Sequence, residues 1–217
     1  GEHYHLLPSA KDYKRIGEGD TGLNTGGMGA ISPVPFVDEL FTQKVTERII
    51  LPTIRGLQQE HLIYKGFIFI GLIKVNEEPY VIEYNCRMGD PETEVVMPRL
   101  ESDLVDLFQH VSQGTLDQTK CILRKEAAAT VVLVSQGYPE AYEKNKIITL
   151  PASSDSIIFH AGTQLDHGNL VSAGGRVMAI TSLHNELSQA VKMSYQTIDQ
   201  IQYVGKTYRR DIGFEFL

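Results

Sequence analysis

The sequence feature that most constrains the fold is an apolar run in the second half of the chain, Ala129–Val134. The run is dominated by β-branched residues and lacks the apolar–polar alternation of a half-exposed strand. Such a run is typical of a strand that is covered on both faces of its sheet. We therefore predict a fully buried strand over these residues.

The patterns on either side of this run differ in kind. Beyond it we predict short strands near Ile147, Ile157, Leu170 and Val177 and one helix from about Asn185 to Ile201. Before it we predict a short opening strand, a glycine-dense loop at Gly17–Gly29 and a helix from Asp38 toward Leu62 that Pro52 interrupts. We also predict two strands joined by a turn, Gly66–Val75 and Tyr80–Asn85, and a helix from Ser102 to Gly114. The fold class is α+β. We place a boundary near Lys120, which gives domains 1–120 and 121–217, the second being small and mostly β with one helix.

Composition excludes several classes of protein. The 217 residues carry 20 Lys and Arg against 27 Asp and Glu, and no basic run is present, which argues against a nucleic-acid partner. No apolar stretch reaches the roughly 20 residues of a membrane helix. Two cysteines, Cys86 and Cys121, provide neither a disulfide framework nor metal-ligand spacing, so we expect a cytoplasmic protein. Because the first residues include no Met and no signal peptide, we expect a piece of a longer polypeptide.

The segment Val81–Arg87 combines strand patterning with chemically useful side chains. Alternation along a strand predicts that Glu83, Asn85 and Arg87 share one face, whereas Ile82, Tyr84 and Cys86 point the other way into packing. Carboxylate and amide oxygens are ligands that suit Mg²⁺, and a guanidinium can hold a phosphate or carboxylate through two hydrogen bonds. The strand pattern alone is explained equally well by a solvated polar face. The acidic turn Gly89–Glu92 directly after it favours a site, since loops at strand ends often display reacting groups.

A second informative segment is the glycine-dense loop, which has six glycines between Gly17 and Gly29. It matches G-x-G-x-x-G formally, but no buried strand precedes it and no helix follows, so we reject a dinucleotide fingerprint. Backbone amides of the loop could form an anion-binding nest, with Asp20, Asn24 and Thr25 as side-chain contacts. A flexible surface loop is the alternative reading. Lys14 and Arg15 directly precede the loop and are either phosphate partners or solvated cations.

Several runs in these segments resemble the phosphoribosylamine–glycine ligase family of ATP-grasp enzymes. The similar runs, in the order of that family, are Asp12–Arg15, Gly19–Ala30, Glu83–Thr93, Pro98–Leu100, Ser102–Leu104, Gly137–Pro139, Phe159–Thr163, Gly174–Val177 and Arg209–Gly213. They span nearly the whole chain. Tyr13 departs from the pattern, because the family commonly has His there.

The resemblance implies an ATP-grasp C-terminal subdomain, mainly antiparallel sheet with helices, followed by the small β-rich domain. It implies ligation of glycine to 5-phosphoribosylamine, with ATP and Mg²⁺ or Mn²⁺ as cofactors and a glycyl phosphate intermediate. The implied metal ligands are Glu83 and Asn85, the catalytic residues Arg87 and Lys14, and the ATP contacts Lys14, Arg15 and Asn85. The implied substrate contacts are Asp20, Asn24, Thr25, Gly26, Gly27, Arg87, Asp90, Arg176 and Arg209, and Lys206 and Arg210 are further candidates for the ribose phosphate.

The resemblance also implies that N-terminal domains of the same polypeptide carry much of the nucleotide grip. We therefore expect weak or no ligase activity from this chain alone. Two alternatives stay open, namely another ATP-grasp ligase or carboxylase such as a biotin carboxylase-like enzyme, and a non-catalytic binding module of the same fold.

Overall fold

A computed structural model describes residues 2–217, and they form two compact units that are both discontinuous in sequence. The first unit consists of the segment that ends at Ser9 together with Val34–Gly89 and Leu100–Arg124. The second unit consists of Ala10–Pro33, Asp90–Arg99 and Lys125–Leu217.

The strands are β1 Lys11–Asp12, β2 Arg15–Gly17, β3 Thr21–Asn24, β4 Gly29–Ser32, β5 Phe69–Val75, β6 Glu78–Asn85, β7 Ala127–Ser135, β8 Ile157–His160, β9 Thr163–Asp166, β10 Asn169–Ser172, β11 Arg176–His184 and β12 Lys206–Thr207. The α-helices are α1 Glu39–Val45, α2 Leu51–Gln59, α3 Thr93–Val96, α4 Leu104–Gln113 and α5 Leu187–Gln200. A π-helical turn, Thr46–Ile50, joins α1 to α2. Within residues 2–217, no helix is both long enough and apolar enough to cross a membrane.

The second unit is built on an antiparallel sheet with strand order β1-β4-β7-β11-β8, and β12 pairs with the end of β7. Every residue of β7 is buried, which confirms the prediction for Ala129–Val134. Helix α5 packs on this sheet through its apolar face, which includes Ala190, Val191 and Ile198. The core therefore contains sheet and helix residues that the apolar patterns had identified, together with Tyr13, Ile31 and Ile212, which they had not.

The first unit contains α1, α2, α4 and the β5–β6 hairpin. Asp38 caps α1 by accepting a hydrogen bond from the Phe41 amide at 2.7 Å, and Pro52 lies in the first turn of α2, where its missing N–H is tolerated. The helical stretch does not end at Pro52, because the backbone at Ile50 and Leu51 is helical; the irregularity is the π-helical turn that precedes it. Helix α4 begins at Leu104 after its cap Asp103, two residues later than predicted, and it ends at the left-handed Gly114.

Two sequence expectations need correction or restatement. Ile82, Tyr84 and Cys86 are exposed rather than packed, because β5 and β6 form a two-stranded ribbon that no further strand extends among the described residues. The Tyr84 hydroxyl still has a contact on α2, at 3.0 Å from the hydroxyl of Thr53. The spatial grouping also differs from a division at residue 120, because β1 and β4 pair into the sheet of β7. The boundary near Lys120 stays a prediction about the domains of the family.

Candidate functional site

The first candidate feature is the end of strand β6 in the first unit. Glu83 and Asn85 lie two residues apart, paired with Gly71 and Phe69 of β5, and a bulge precedes Glu83. A Cβ atom at Gly71 would lie 3.0 Å from Cγ of Glu83, so the glycine leaves room for this side chain. Sequence reasoning missed this role of Gly71, which becomes visible only once the register is known.

Arg87 lies in a bend beyond the end of β6, so strand alternation extends to Asn85 and no further. Its side chain is exposed, and its guanidinium donates to the carbonyl oxygen of Met88 at 2.9 Å. A single backbone contact leaves most of the five N–H donors of an arginine available to a ligand.

The donors at the end of β6 fit a hard divalent cation. Glu83 offers an exposed carboxylate, and the amide nitrogen of Asn85 is buried without a hydrogen-bond partner among the described residues. Residues 2–217 contain no group of three or more His, Cys, Asp or Glu placed to hold a metal ion. Glu83 and Asn85 place two oxygen donors at this strand end, which suits Mg²⁺ because this ion usually keeps waters and substrate phosphates as its other ligands.

The glycine-dense segment of the second unit is a β2–β3 hairpin rather than a continuous loop, and a 3₁₀ turn, Glu18–Asp20, closes it. The Arg15 guanidinium donates to the Gly22 carbonyl oxygen at 2.8 Å. Thr25 links the end of the hairpin to its start, because its amide and its hydroxyl both donate to the Lys14 carbonyl oxygen, at 2.7 and 2.8 Å. The side chains of Lys14 and Asn24 are exposed. The hairpin therefore presents polar groups to solvent while its backbone is fixed.

Arg176, at the start of β11, joins three segments of the second unit. Its guanidinium donates to both carboxylate oxygens of Asp90, at 2.8 and 2.9 Å, and to the carbonyl oxygen of Gly26 at 2.7 Å. The Gly26 amide donates in turn to the hydroxyl of Tyr138 at 2.9 Å. Gly26, Asp90 and Arg176 were each predicted as substrate contacts, and the structure brings these three together.

Arg209 is buried, with 1% of its surface exposed, and its guanidinium is bound by carboxylates of the protein itself. It donates to both oxygens of Asp211 at 2.8 Å and to Asp20 at 2.6 Å. Burial lowers the pKa of Arg209, but the hydrogen bonds to Asp211 and Asp20 outweigh this and raise it. Asp211 also accepts from the amide of Gly19 at 2.7 Å, so this ion-paired cluster fixes the 3₁₀ turn of the hairpin.

The other candidate cations of the second unit differ in their surroundings. The ammonium of Lys206 donates to the carbonyl oxygens of Ile198 and Ile201, at 2.8 and 2.5 Å, and so satisfies the C-terminal end of α5. Arg210 is exposed.

A further acidic cluster lies at the end of β1. Burial, with the carboxylates of Glu92 and Asp90 adding to it, raises the pKa of Asp12 to about 7, although Lys14 and Arg176 act in the opposite direction. Burial likewise raises the pKa of Glu94. Sequence reasoning quoted Asp12 in a family motif but gave it no role. The signal available was an acid directly before two cations and a glycine-rich hairpin.

Comparison with known proteins decides the family. A model of the phosphoribosylglycinamide synthetase ATP-grasp (A) domain matches residues 1–93, and a model of the C domain of the same enzyme matches residues 128–215. The chain belongs to the phosphoribosylamine–glycine ligase family. The phosphoribosylamine–glycine ligase of Chlorobaculum tepidum is 45% identical over the whole chain, and that of Rhizobium meliloti is 45% identical over 96% of it.

Solved structures agree with this family assignment. The crystal structure of phosphoribosylamine–glycine ligase from Thermotoga maritima is 37% identical, covers 97% of the chain and has a TM-score of 0.89. A biotin carboxylase from Campylobacter jejuni is similar in fold only, at 16% identity, 83% coverage and a TM-score of 0.60. The chain spans about half the length of the curated relatives, 52% for Chlorobaculum tepidum and 50% for Rhizobium meliloti.

Proposed function

We propose that the complete polypeptide that carries this chain is an ATP-dependent ligase. It joins glycine to 5-phosphoribosylamine and gives glycinamide ribonucleotide, ADP and phosphate, a step of purine biosynthesis. The observation that carries the proposal is the match of both family models, in order, to most of the chain. The donor set of β6 supports it, because the chemistry of a carboxylate activated by ATP requires groups that hold phosphate charge.

In the proposed reaction, ATP phosphorylates the carboxylate of glycine, and the amine of phosphoribosylamine then attacks the glycyl phosphate. The carbon–nitrogen bond forms, the bond from the acyl carbon to the phosphate oxygen breaks, phosphate leaves with the electron pair, and the attacking nitrogen gives up one proton. Glu83 and Asn85 would hold Mg²⁺ or Mn²⁺, which neutralises charge on the nucleotide phosphates when it is bound. Arg87, exposed and with free donors, would stabilise the charge that develops on the acyl phosphate.

The remaining assignments concern binding. Lys14 and Arg15 are proposed to contact the phosphates of ATP, with Lys14 also acting on the transferred group. The hairpin residues Asp20, Asn24, Thr25, Gly26 and Gly27 and the pair Asp90 and Arg176 are proposed to receive the substrates. Because Asp90 and Arg176 neutralise each other, a substrate that binds there would exchange with an existing ion pair. For Arg209 we propose that contact with substrate is made from its place between Asp20 and Asp211.

We also propose that N-terminal domains of the same polypeptide complete the nucleotide site and that the protein works in the cytoplasm. The support for the further domains is that the chain matches about half the length of its relatives. The 217-residue chain alone should then release phosphate at less than about a hundredth of the rate of the complete polypeptide, because correct positioning of both reactants provides much of the catalysis. Equal rates for the two proteins would contradict this.

The test of the function is phosphate release by the complete polypeptide with MgATP, glycine and phosphoribosylamine, each omitted in turn. We expect release to require all three, and mass spectrometry to find glycinamide ribonucleotide in proportion to the phosphate. Release that needs bicarbonate instead of glycine would favour an ATP-grasp carboxylase. Nucleotide binding without release in any mixture would favour a non-catalytic module.

A further inference from the structure

Asp12 is a buried carboxylate without a full set of partners. Its side chain is 9% exposed, and its Oδ1 atom has no hydrogen-bond partner among residues 2–217. The Oδ2 atom lies 3.9 Å from the ammonium of Lys14, which is longer than a hydrogen bond. A buried carboxylate oxygen left in this state costs free energy, so it calls for a partner that the protein itself does not provide.

The space beside this oxygen is kept open by a glycine. Gly27 has a φ of +116°, and a Cβ atom there would lie 2.9 Å from Oδ1 of Asp12 and would overlap Pro91. Any other residue would therefore fill the space next to the unpartnered atom. The conformation and the close approach both require glycine at this position.

The charges around Asp12 favour a cationic ligand. Asp90 and Glu92 both act on Glu94, and both act on Asp12. One nearby cation, Arg176, already binds Asp90 and the Gly26 carbonyl oxygen through its guanidinium. The other, Lys14, has an exposed side chain. Asp12 and Glu94 each keep a carboxylate oxygen without a hydrogen-bond partner among residues 2–217, which favours a ligand that carries positive charge.

The kind of cation follows from the donor set. Asp12 offers one unpartnered oxygen, Oδ1, and its Oδ2 atom lies 3.9 Å from the ammonium of Lys14. A primary ammonium group carries one positive charge and three N–H donors, and it can bind a single unpartnered carboxylate oxygen without a shell of further ligands. Its small size suits a space that one Cβ atom would obstruct.

We propose that Asp12 is the counter-ion for the primary ammonium group of an amino substrate. The inference rests on the proposed function for its two ammonium sources, glycine and phosphoribosylamine, which share this chemistry. A phosphoribosylamine bound in this way passes its proton to Asp12 before its nitrogen attacks the glycyl phosphate. It assigns to Asp12 a binding role, with Gly27 keeping its Oδ1 atom accessible.

A dependence on pH follows. Burial, and then the carboxylates of Glu92 and Asp90, raise the pKa of Asp12 to about 7, whereas Lys14 and Arg176 act in the opposite direction. Asp12 is therefore largely protonated below neutral pH. The ammonium binds the ionised form, so binding releases a proton, and affinity should rise up to about tenfold per pH unit as the pH approaches 7 from below. The dependence should disappear above about pH 8.

The experiment compares the complete polypeptide with its Asp12→Asn variant, which removes the charge but keeps the shape. The KM values for glycine and phosphoribosylamine are measured separately between pH 6 and 9, and binding of glycine is measured by calorimetry in two buffers that differ in ionisation enthalpy. Asp166→Asn, an exposed acid on β9, is the matched control. Thermal melting of each variant verifies that it is folded.

We expect Asp12→Asn to raise one of the two KM values at pH 8 by about tenfold or more and to abolish its rise below pH 7. A change in the glycine KM, with loss of proton release on glycine binding, identifies the amino acid as the source. A change in the phosphoribosylamine KM alone identifies the amino sugar.

The inference is overturned if both KM values and their pH profiles match those of the wild type, or if only kcat falls. A wild-type polypeptide that binds glycine but forms no product would contradict the proposed function and not the inference, provided that Asp12→Asn abolishes this binding. If the wild type binds no glycine and forms no product, both fail.

Discussion

Two buried charged side chains of the second unit, Arg209 and Asp12, differ in how far neighbouring groups neutralise their charge. Removing a charge from water costs several kcal/mol unless partners compensate it. Arg209 is compensated by two carboxylates in close geometry, whereas Asp12 faces further carboxylates and has an unpartnered oxygen. The arrangement around Arg209 is expected of a residue that stabilises the fold, and the arrangement around Asp12 is expected of a residue that binds a ligand.

The stabilising role of Arg209 leads to a prediction. Arg209→Met keeps much of the volume but leaves Asp20 and Asp211 without their cation, so the free energy of unfolding should fall by about 3–5 kcal/mol. Urea unfolding of the complete polypeptide measures this change, with Arg210→Met as the control at an exposed neighbouring position. A loss no larger than that of the control would show that the ion pairs are not important for stability.

Asp12 leads to a prediction with a pH dependence. Its pKa is about 7 in the folded chain, above the ordinary value of 3.8, so ionisation destabilises the fold as the pH rises from about 4 to 7. Asp12→Asn should therefore raise the free energy of unfolding at pH 8 by about 1 kcal/mol or more and change it little at pH 4. Urea titrations at the two pH values measure the difference. An equal effect at both, or a destabilisation at pH 8, would contradict the account.

At the scale of elements, local sequence signals predicted those features that depend on a single helix and its ends. The cap at Asp38 and the left-handed end at Gly114 follow from backbone chemistry, and the structure has both. At Pro52 the helical backbone continues, and a π-helical turn precedes the proline. The exposed face of β6 could not be predicted in the same way. Alternation assigns Ile82 and Tyr84 to one side of a strand, but only the number of neighbouring strands decides whether that side is covered.

Two glycines in helical segments provide a matched test of this local reasoning. Gly56 lies inside α2 with open space around its Cα, so Gly56→Ala should raise the free energy of unfolding by about 0.5–1 kcal/mol. Gly114 has a φ of +76° at the end of α4, so Gly114→Ala should lower it by about 1 kcal/mol. Denaturant titration measures both. Changes of the same sign would contradict the helix assignments.

At the scale of the whole molecule, the sequence predicted the polar residues of the candidate site better than the contacts among them. Family-like runs identified Asp20, Asp90, Arg176 and Arg209 without indicating which acid would pair with which arginine. Asp20 and Arg209 are 189 positions apart, and no local pattern encodes contacts over such a separation. For the same reason, the sequence could not predict that Ala10–Pro33 belongs to the second unit.

The central claim is that this chain carries the metal-holding strand of a phosphoribosylamine–glycine ligase. Its most direct test is the rate of glycinamide ribonucleotide formation by the complete polypeptide with Glu83→Ala, compared with Glu77→Ala in the turn of the same hairpin. We predict a loss of about 100-fold or more for Glu83→Ala, with an unchanged melting temperature, and a near-normal rate for Glu77→Ala. A Glu83→Ala variant with near-normal turnover would contradict the claim.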